Sequence, residues 1–599
     1  MKADGFQTSA KKYPSPTKGK VLVLGSDTRA FLSVIRSLGR AGLAVHVAGC
    51  PKGSISRSSR YISAAHDLPD AQASADEWRE ALASLMMKEG FDLVIPCDDP
   101  TALPLDRHRS TLANHGRIAI PGKEAFAAVT DKQLTYELAV REGVAVPRAE
   151  TVTAGTDAKA LVQDLGLPLV FKPRQSFTLN DLSTKQSVKV VREIEGVVAL
   201  LGKLQSGECL SAQEHFQGRG VGVEILAFEG ESLFVFQHER LHEPLDGGGS
   251  SYRRSVALTP DLADAAIRLL RALRYTGVAM VEFKVNVASG RWVLMEINGR
   301  FWGSLPLAVA AGADFPRFLY EMLVEGRRSF PKSAGINLYG RNLVADLGWM
   351  RANLYADRRD PLLMTRPLAA VAGEIFPLLA GRERWDTFTL DDPRPAAKEI
   401  AALFGRLKTF IARKISLSLA RFPAIQRYRN QRLRSRLLHT RNIHFVCKGN
   451  ICRSPYAERY LARRLPRGFA LSSSGYYPTS GRPAPATAIS AAAEFGVMME
   501  DHRSRVTDET TLQTADVILV FDSQNLRIVR TAFPQLRSRI FPIGVLTPTG
   551  SDIDDPYGGD IGNFRSCYQK LNLLLDEVAL ILRSNVSGGS FVEAGGKGA

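Results

Sequence analysis

The stretch HFVCKGNICRSPYAERYL, His444 to Leu461, decides the fold of the C-terminal part of the chain. Four β-prone residues end at Cys447, a loop containing Gly449 and Asn450 follows, and an amphipathic run begins directly after it. Gly and Asn tolerate backbone dihedrals that let successive N–H groups converge on one point. The pattern therefore predicts a strand, an anion-binding loop and a helix.

Ser454 is the expected N-cap of that helix, with Pro455 at its first position. The positive end of the helix dipole then faces the same point as the loop amides and favours a thiolate over a thiol at Cys447. Arg453 is placed to hold two oxygens of a phosphoryl group while the sulfur attacks phosphorus.

This stretch resembles the phosphate loop of the low-molecular-weight protein tyrosine phosphatases, because it matches the pattern Cys-x-Gly-Asn-x-Cys-Arg-Ser-Pro at every fixed position. The family's later Asp-Pro-Tyr motif is matched by Asp555, Pro556 and Tyr557. The segments SSSG, DHRSR and ADVILVFD resemble the family's intervening segments. The resemblance covers residues 441–585 and implies an α/β domain with a central parallel sheet.

The resemblance also implies residue roles. Cys447 is the nucleophile that forms a cysteinyl-phosphate, Arg453 holds the transition-state oxygens, and Asp555 protonates the leaving phenol and then activates water. Cys452 is implied as a reversible disulfide partner of Cys447. The implied phosphate-binding residues are Gly449, Asn450, Ile451, Cys452 and Ser454.

Single sequence features distinguish this chain from two other classes of enzyme with the same fold. Arsenate reductases need a further pair of resolving cysteines, and none lies between Cys452 and Cys567. Protein-arginine phosphatases carry Thr where this chain has Ile451, and the bulkier apolar side chain favours an aryl phosphate. The expected substrate is a phosphotyrosine protein or another aryl phosphate.

A chain of 599 residues is too long for one core and predicts three or more folding units. Its six scattered cysteines form no disulfide framework, which indicates a reducing, cytoplasmic setting. The polar N-terminus lacks the apolar core of a signal peptide, and no apolar run of about 18 residues predicts a membrane span.

The net charge of +17 comes mainly from one segment, because residues 405–441 contain eleven Lys or Arg and no acid. No zinc-finger spacing or aromatic stacking array accompanies it, which argues against nucleic acid. Apolar residues recur near helical spacing within it: Phe410, Ile411, Ile415, Leu419 and Phe422. Such a helix is expected either to lie on an anionic membrane surface, at the inner membrane face, or to be a solvated interdomain helix.

The N-terminal region reads as a parallel α/β sheet, with a strand at Lys20–Leu24, a helix to about Arg40 and a strand at Ala44–Ala48. Another strand ends before Asp98 and Asp99. Acids at that edge either line a ligand cleft or cap a helix.

The segments VAMVEFKVNV and RWVLMEINGR, separated by three residues, read as a β-hairpin. If the three residues form the turn, Val287 faces Arg291, and counting back along both strands places Glu282 opposite Glu296. Asn298 lies two residues after Glu296 and therefore on the same face of the sheet. Opposed carboxylates destabilise a sheet unless a cation lies between them. Two carboxylates and an amide oxygen are ligands that suit Mg²⁺. The alternative is that both glutamates lie in solvent and bind no metal.

Over residues 20–335 these features resemble the ATP-grasp superfamily, in the branch near carbamoyl-phosphate synthetase and biotin carboxylase. The resemblance implies a parallel-sheet lobe followed by α+β lobes, with ATP and Mg²⁺, in two ions or replaced by Mn²⁺, as cofactors. It assigns the ATP-binding residues Lys132, Lys172, Lys185, Gln213 and Glu214, the metal ligands Glu282, Glu296 and Asn298, and Arg300 as the residue steadying the anionic acceptor or acyl phosphate.

The family's chemistry activates a carboxylate as an acyl phosphate, which an amine or similar nucleophile then attacks. Arg240 and the Gly247–Ser251 stretch are the expected acceptor-side contacts, or the latter is only a flexible connection. The alternative function is an ATP-binding sensor that regulates the phosphatase without ligation. The expected organisation is a disordered tail at 1–18, a pre-ATP-grasp domain at 19–120, an ATP-grasp domain at 121–335, a helical extension at 336–404, a basic helical linker at 405–440, the phosphatase at 441–585 and a disordered tail at 586–599.

Overall fold

The computed structural model describes residues 19–72, 74–205, 207–245, 247–331, 333–360, 362–420, 422–547 and 550–587. These residues divide into two compact units, one ending at Phe404 and one beginning at Gly405. The tail predicted at 1–18 and residues 588–599 of the tail predicted at 586–599 lie outside the described residues. Residues 586 and 587 of that second tail instead end the last helix. Within the described ranges, no helix is both long enough and apolar enough to cross a membrane.

The first unit is built from many short strands and helices. Its strands are β1 (Lys20–Leu24), β2 (Ala44–Ala48), β3 (Ile62–His66), β4 (Leu93–Pro96), β5 (Ala149–Val152), β6 (Leu169–Pro173), β7 (Lys189–Val191), β8 (Leu210–Glu214), β9 (Arg219–Phe228), β10 (Glu231–His242), β11 (Tyr252–Val256), β12 (Gly277–Val285), β13 (Trp292–Asn298), β14 (Tyr339–Arg341) and β15 (Glu383–Trp385). Its helices are α1 (Arg29–Arg40), α2 (Ala75–Glu89), α3 (Asp99–Arg107), α4 (Arg109–Leu112), α5 (Lys123–Thr130), α6 (Lys132–Arg141), α7 (Ala158–Leu165), α8 (Ile194–Leu201), α9 (Pro260–Ala272), α10 (Leu305–Ala310), α11 (Phe315–Leu323), α12 (Leu343–Tyr355), α13 (Leu368–Gly373), α14 (Ile375–Leu379) and the first part of α15 (Arg394–Ala420).

The N-terminal sheet has four parallel strands in the order β3-β2-β1-β4. Strands β1 and β2 begin and end where the sequence predicts, because continuous apolar runs are typical of parallel strands covered on both faces. Asp98 caps α3 by accepting from the Thr101 N–H, and Asp99 is the first residue of that helix. The predicted parallel-sheet lobe is thus confirmed.

The α+β part contains two further sheets. A four-stranded antiparallel sheet has the order β5-β8-β6-β7, and a seven-stranded sheet has the order β13-β12-β9-β10-β11-β14-β15. The predicted pairing of Glu282 with Glu296 across β12 and β13 is confirmed. The predicted turn is wrong, because Asn286 rather than Val287 faces Arg291.

The pairing survives this error because of a bulge. Val285 pairs with Trp292 next to the turn, one residue away from the predicted register, and Met295 is then the extra residue between the pairs Phe283–Leu294 and Glu282–Glu296. The bulge shifts the register back to the predicted one. Two deviations of one residue therefore cancel at the glutamates.

Residues 336–404 were expected to be a helical extension, which is only partly correct. They contain helices α12 to α14, but β14 and β15 also extend the seven-stranded sheet, with β14 pairing antiparallel to β11 and parallel to β15. The reason is that β11 offers an open sheet edge, whose backbone groups need hydrogen-bond partners.

The second unit is an α/β domain with a central parallel sheet, as predicted. Its strands are β16 (Asn442–Cys447), β17 (Ala470–Gly475), β18 (Val517–Val520) and β19 (Ile540–Pro542), in the order β17-β16-β18-β19. Its helices are the rest of α15, α16 (Pro423–Leu437), α17 (Arg453–Ala462), α18 (Ala486–Ala493), α19 (Glu509–Gln513), α20 (Ser523–Ala532) and α21 (Ile561–Ser587).

Candidate functional site

In the second unit, the central strand β16 delivers Cys447 to the carboxyl edge of the parallel sheet. The thiol is 3% exposed, and the backbone N–H of Asn450 donates to its Sγ at 3.2 Å. The Sγ also lies 3.1 Å from the Ser454 hydroxyl. The loop therefore supplies the sulfur with two polar partners that stabilise a thiolate.

The predicted helix cap is wrong. Helix α17 begins at Arg453, Cys452 is its N-cap residue without a side-chain cap bond, and Ser454 is the second helical residue. The Ser454 hydroxyl instead accepts from the Asn450 side-chain amide at 2.9 Å and faces Cys447. Because this hydroxyl serves the loop, it is not available to cap the helix.

Asn450 holds the shape of the loop. Its φ of +50° lies in the left-handed region, which Asn adopts more readily than most residues. Its side chain donates to Ser454 and, at 2.8 Å, to Ser473, and accepts from the Arg505 N–H at 2.8 Å. The ring of His502 lies 2.6 Å from the Asn450 carbonyl. Two segments distant in sequence, at Ser473 and at 502–505, thus fix Asn450 together with its neighbour Ser454.

Arg453 connects the loop to the segment that carries Asp555. Its side chain is 1% exposed and forms an ion pair with Asp555 at 2.9 Å, another with Asp522 at 2.7 Å, and a hydrogen bond to the Ile553 carbonyl at 2.8 Å. Among the described residues, the buried Nε of Arg453 has no partner. A buried donor of this kind fits a phosphoryl oxygen.

The remaining predicted loop residues lie in the same shell. Ile451 and Cys452 are buried, and the Gly449 carbonyl accepts from Arg482 at 2.7 Å. Burial raises the pKa of the Cys452 thiol well above its usual range, and raises the pKa of Cys567 on α21 to about 12. Cys447 and Cys452 are both free, so the oxidative disulfide between them stays a prediction.

Sequence reasoning assigned no role to three residues that complete this site: Ser473, His502 and Asp522. All three belong to the segments SSSG, DHRSR and ADVILVFD, for which the sequence indicated only a resemblance to the family's intervening segments. Asp522 lies two residues after the end of β18, so its position just past the carboxyl end of a strand was the available signal.

In the first unit, a cavity brings together five of the predicted ATP-grasp residues. Its polar lining consists of Asp99, Thr130, Lys132, Thr135, Ser176, Lys185, Glu296, Asn298 and Arg300. Gln213, Glu214, Lys172 and Glu282 are not among its lining residues. Cations and carboxylates thus alternate around one concave surface, as a site for a polyphosphate with a metal would require.

Two lysines, the buried Lys172 and the half-buried Lys132, interact electrostatically with Glu296. Burial lowers the pKa of Lys172 to about 8 and also lowers that of Lys132, whose Nζ donates to the Ser176 hydroxyl at 2.9 Å. Burial opposes ionisation of Glu296, but the Asn298 amide and both lysines hold the pKa of Glu296 below its ordinary value. Glu296 is therefore ionised at neutral pH.

Glu282 already has a cation. Arg240 binds both of its carboxylate oxygens, one of them at 2.7 Å, and also donates to Glu243 at 3.2 Å. Strand β9 lies between β10 and β12, and a Cβ at Gly220 would lie 2.7 Å from the Arg240 Cδ. The glycine therefore leaves room for the Arg240 side chain to cross β9.

The arrangement fits a divalent cation at Glu296 and Asn298, because carboxylate and amide oxygens are hard ligands that face the cavity. Glu282 lies opposite Glu296, but its carboxylate would have to break its ion pair with Arg240 before it could bind a metal ion. Across the described ranges, no group of three or more His, Cys, Asp or Glu side chains is arranged to hold a metal ion. Substrate phosphates would have to complete the coordination.

The other predicted residues are fixed by neighbours. Arg300 forms a bidentate pair with Asp99 at 2.6 and 2.9 Å, which orients its guanidinium at the cavity. Gln213 is buried on β8, and the carboxylate of Glu214 accepts from Arg148 at 3.0 Å. Arg240, expected on the acceptor side, is instead buried against Glu282.

Comparisons with known proteins find similarities in both units. A model of the low molecular weight phosphotyrosine protein phosphatases matches residues 442–587, and a model described as ATP-grasp in the biosynthetic pathway with Ter operon matches residues 208–338. The low molecular weight protein-tyrosine-phosphatase Etp of Escherichia coli K12 is 35% identical over 134 residues, covering 22% of this chain and 89% of that protein.

Two further similarities concern one unit each. The protein-arginine-phosphatase of Bacillus subtilis is 29% identical over 148 residues, covering 24% of this chain and 98% of that protein. A biotin carboxylase complex with β,γ-ATP from Campylobacter jejuni is 16% identical with a TM-score of 0.42, covering 54% of this chain and 74% of that chain. The chain carries an ATP-grasp domain and, through residues 442–587, belongs to the low molecular weight phosphotyrosine protein phosphatase family.

Proposed function

We propose that the second unit hydrolyses phosphotyrosine through a cysteinyl-phosphate. The observation that carries the proposal is the position of Arg453, whose guanidinium joins the Cys447 loop to Asp555 at 2.9 Å. Arg453 and the loop amides hold the phosphoryl oxygens, while the Ser454 hydroxyl and the Asn450 N–H stabilise the sulfur.

Two displacements complete the reaction. The Cys447 thiolate attacks phosphorus, so the S–P bond forms as the bond to the phenolic oxygen breaks, and Asp555 gives that oxygen a proton. Asp555, now a carboxylate, takes a proton from water, which attacks phosphorus, breaks the S–P bond and releases phosphate.

The leaving group tests these roles. With p-nitrophenyl phosphate, whose phenolate needs little protonation, Asp555→Asn should retain much of its rate of cysteinyl-phosphate formation. With phosphotyrosine peptides the same variant should lose about 10²–10⁴-fold. Cys447→Ser should be inactive on both. Equal losses by Asp555→Asn on the two substrates would argue against its role as general acid.

The choice between phosphotyrosine and phosphoarginine concerns Ile451, which is buried in the loop. Its apolar side chain supports an aryl phosphate, whereas the similar arginine phosphatase keeps phosphoarginine as a second candidate. Paired peptides carrying either group give a direct comparison of kcat/KM. We expect the phosphotyrosine peptide to be preferred and Ile451→Thr to shift the ratio toward phosphoarginine.

We propose that the first unit is an ATP-dependent ligase with a pre-ATP-grasp domain over residues 19–120 and an ATP-grasp domain over residues 121–335. Lys132 and Lys172 bind the nucleotide phosphates, and Arg300, held by Asp99, receives the anionic acceptor. A substrate carboxylate attacks the γ-phosphorus, the bond to ADP breaks, and an amine then displaces phosphate from the acyl phosphate. Mg²⁺, as two ions or replaced by Mn²⁺, would neutralise phosphate charge at Glu296, Asn298 and Glu282.

The rival function is a nucleotide sensor. ATP turnover by Cys447→Ser, which silences the phosphatase, can be screened over pairs of amino acids and small carboxylates. Phosphate release that requires one particular pair supports ligation. Tight ATP binding without acceptor-dependent turnover supports the sensor.

We also propose a cytoplasmic location at the inner membrane face, through residues 405–441. Helix α15 supports this with the exposed side chains of Leu407, Phe410 and Ile411, while Ile415 and Leu419 lie outside the residues whose side chains are described. The six free cysteines support a reducing compartment. Flotation with anionic vesicles at low and high salt tests the membrane contact.

A further inference from the structure

The segment 367–380, PLAAVAGEIFPLLA, is almost entirely apolar and almost entirely exposed. Helices α13 and α14 within it contain no buried residue. Phe376 and Leu379 are 69% and 74% exposed, and Leu368 and Ile375 about half exposed, at 53% and 48%. Contiguous exposed apolar surface of this kind marks an interaction site rather than a scatter of single residues.

The one charged residue of the segment points inward. Glu374 is buried and pairs with His242 at 2.8 Å, Arg341 at 3.2 Å and Arg366 at 3.3 Å. His242 also pairs with Asp346 of α12 at 2.8 Å. The junction of α13 and α14 is therefore anchored to the sheet by a buried ionic cluster, which holds the apolar residues outside.

Arginines lie on both sides of the apolar segment. Arg351, Arg358 and Arg359 precede it and Arg382 and Arg384 follow it, all exposed. Among the described residues, none of these five forms an ion pair with a carboxylate; Arg358 and Arg384 donate to backbone carbonyls. Their charge is therefore available to an anionic partner.

The acids in the same stretch of chain, residues 351–384, offset little of this charge. Glu374 and Glu383 are buried in the ionic cluster, and Asp360 pairs with Arg192. Asp357 is the remaining acid between Arg351 and Arg384. An apolar surface bordered by unpaired arginines matches the boundary between acyl chains and anionic headgroups.

We propose that the 367–380 segment inserts its apolar side chains into the surface of an anionic lipid membrane, with the flanking arginines on the headgroups. A second copy of the chain is the poorer occupant, because a two-fold contact through this surface would bring the same arginines together. The segment is separate from residues 405–441 and does not depend on the ligase being active.

The test uses the full-length chain and two pairs of substitutions. Phe376→Ser with Leu379→Ser removes two exposed apolar side chains from the segment. Leu573→Ser with Leu580→Ser removes two from α21, where the residues are 75% and 67% exposed. Hydrolysis of p-nitrophenyl phosphate controls for folding of the second unit, and urea unfolding followed by tryptophan fluorescence controls for folding of the first unit. Both should be unchanged in these variants.

Flotation with vesicles of phosphatidylcholine and phosphatidylglycerol is the measurement. We expect the 376/379 pair to weaken partitioning about tenfold or more, because both side chains lose their apolar burial, and the 573/580 pair to leave it unchanged. Arg359→Gln with Arg382→Gln should weaken binding at low salt only. Pure phosphatidylcholine should bind the wild-type chain far less.

A reporter measures insertion directly. Phe376→Trp should show a blue-shifted emission component that brominated lipids quench, whereas Leu573→Trp should not. Wild-type flotation by the 376/379 variant, or an unquenched Phe376→Trp, would overturn the proposal. So would a wild-type dimer that the 376/379 substitutions convert to a monomer, because the surface would then be an interface between copies.

Discussion

Replacing Arg240 by Met tests how Glu282 is neutralised inside the sheet. Arg240 is 8% exposed and binds both oxygens of Glu282, and burial raises the pKa of that carboxyl group. Removing one partner of a buried ion pair leaves an uncompensated charge, which costs about 3–5 kcal/mol. Met keeps the length and apolar volume of the side chain, so the loss comes mainly from the charge.

The assay is urea unfolding followed by tryptophan fluorescence. All five tryptophans, at positions 78, 292, 302, 349 and 385, belong to the first unit, so the signal reports that unit alone. Arg240→Met should reduce the free energy of unfolding by about 3–5 kcal/mol at pH 8. The loss should be smaller at pH 5: a raised carboxyl pKa means that the folded state binds more protons, so stability falls as pH rises.

A second substitution distinguishes the pair from its surroundings. Arg240→Met with Glu282→Leu replaces both charges by apolar groups and should recover most of the loss. Arg219→Met removes an exposed arginine that pairs with Glu239 at 3.0 Å, and should cost less than about 1 kcal/mol. If Arg240→Met is no less stable than Arg219→Met, or Glu282→Leu fails to rescue it, Arg240 is not the cation that neutralises Glu282.

Three further predictions concern the two sites. Mn²⁺ with a non-hydrolysable ATP analogue should raise the melting temperature of Arg240→Met more than that of the wild type, because Glu282 is then free to bind metal; an equal rise would contradict this. ATP affinity, measured by calorimetry, should weaken as pH rises through about 8, because Lys172 loses its proton there, and Lys172→Met should flatten this dependence. Asn450→Ala should lower the free energy of unfolding of the phosphatase unit by about 2–4 kcal/mol, because three side-chain hydrogen bonds are lost and Ala is strained at φ +50°. Hydrogen exchange of the backbone amides of β16 measures this loss, and unchanged protection would refute the role of Asn450.

The phosphate loop was largely predictable because its chemistry is local. Cys447 and Arg453 are six residues apart, so the strand, the loop and the helix start are sufficient to bring the thiol and the guanidinium together. The helix cap was wrong because the Ser454 hydroxyl is shared with Asn450 and Cys447, and the local sequence does not show which partner it selects.

The hairpin gave a correct pair from an incorrect turn. Counting residues predicted that Glu282 faces Glu296, but the bulge at Met295 compensates for a longer turn. Strand alternation indicates which residues share a face, whereas a bulge depends on packing against neighbouring strands. The confirmed Glu282–Glu296 pair therefore supports the predicted strand pairing more than it supports the predicted turn.

The sequence by itself determined the parallel N-terminal sheet, the β12–β13 hairpin, the loop that carries Cys447, and the residue types suited to phosphate and metal. Only the tertiary structure decided that Arg240 neutralises Glu282, that Arg453 is shared between Asp522 and Asp555, and that Glu374 turns inward while its apolar neighbours stay exposed. Those partners lie 42 to 132 residues apart in the chain. Strand order and side-chain crossing bring them together, and neither is encoded by spacing within one segment.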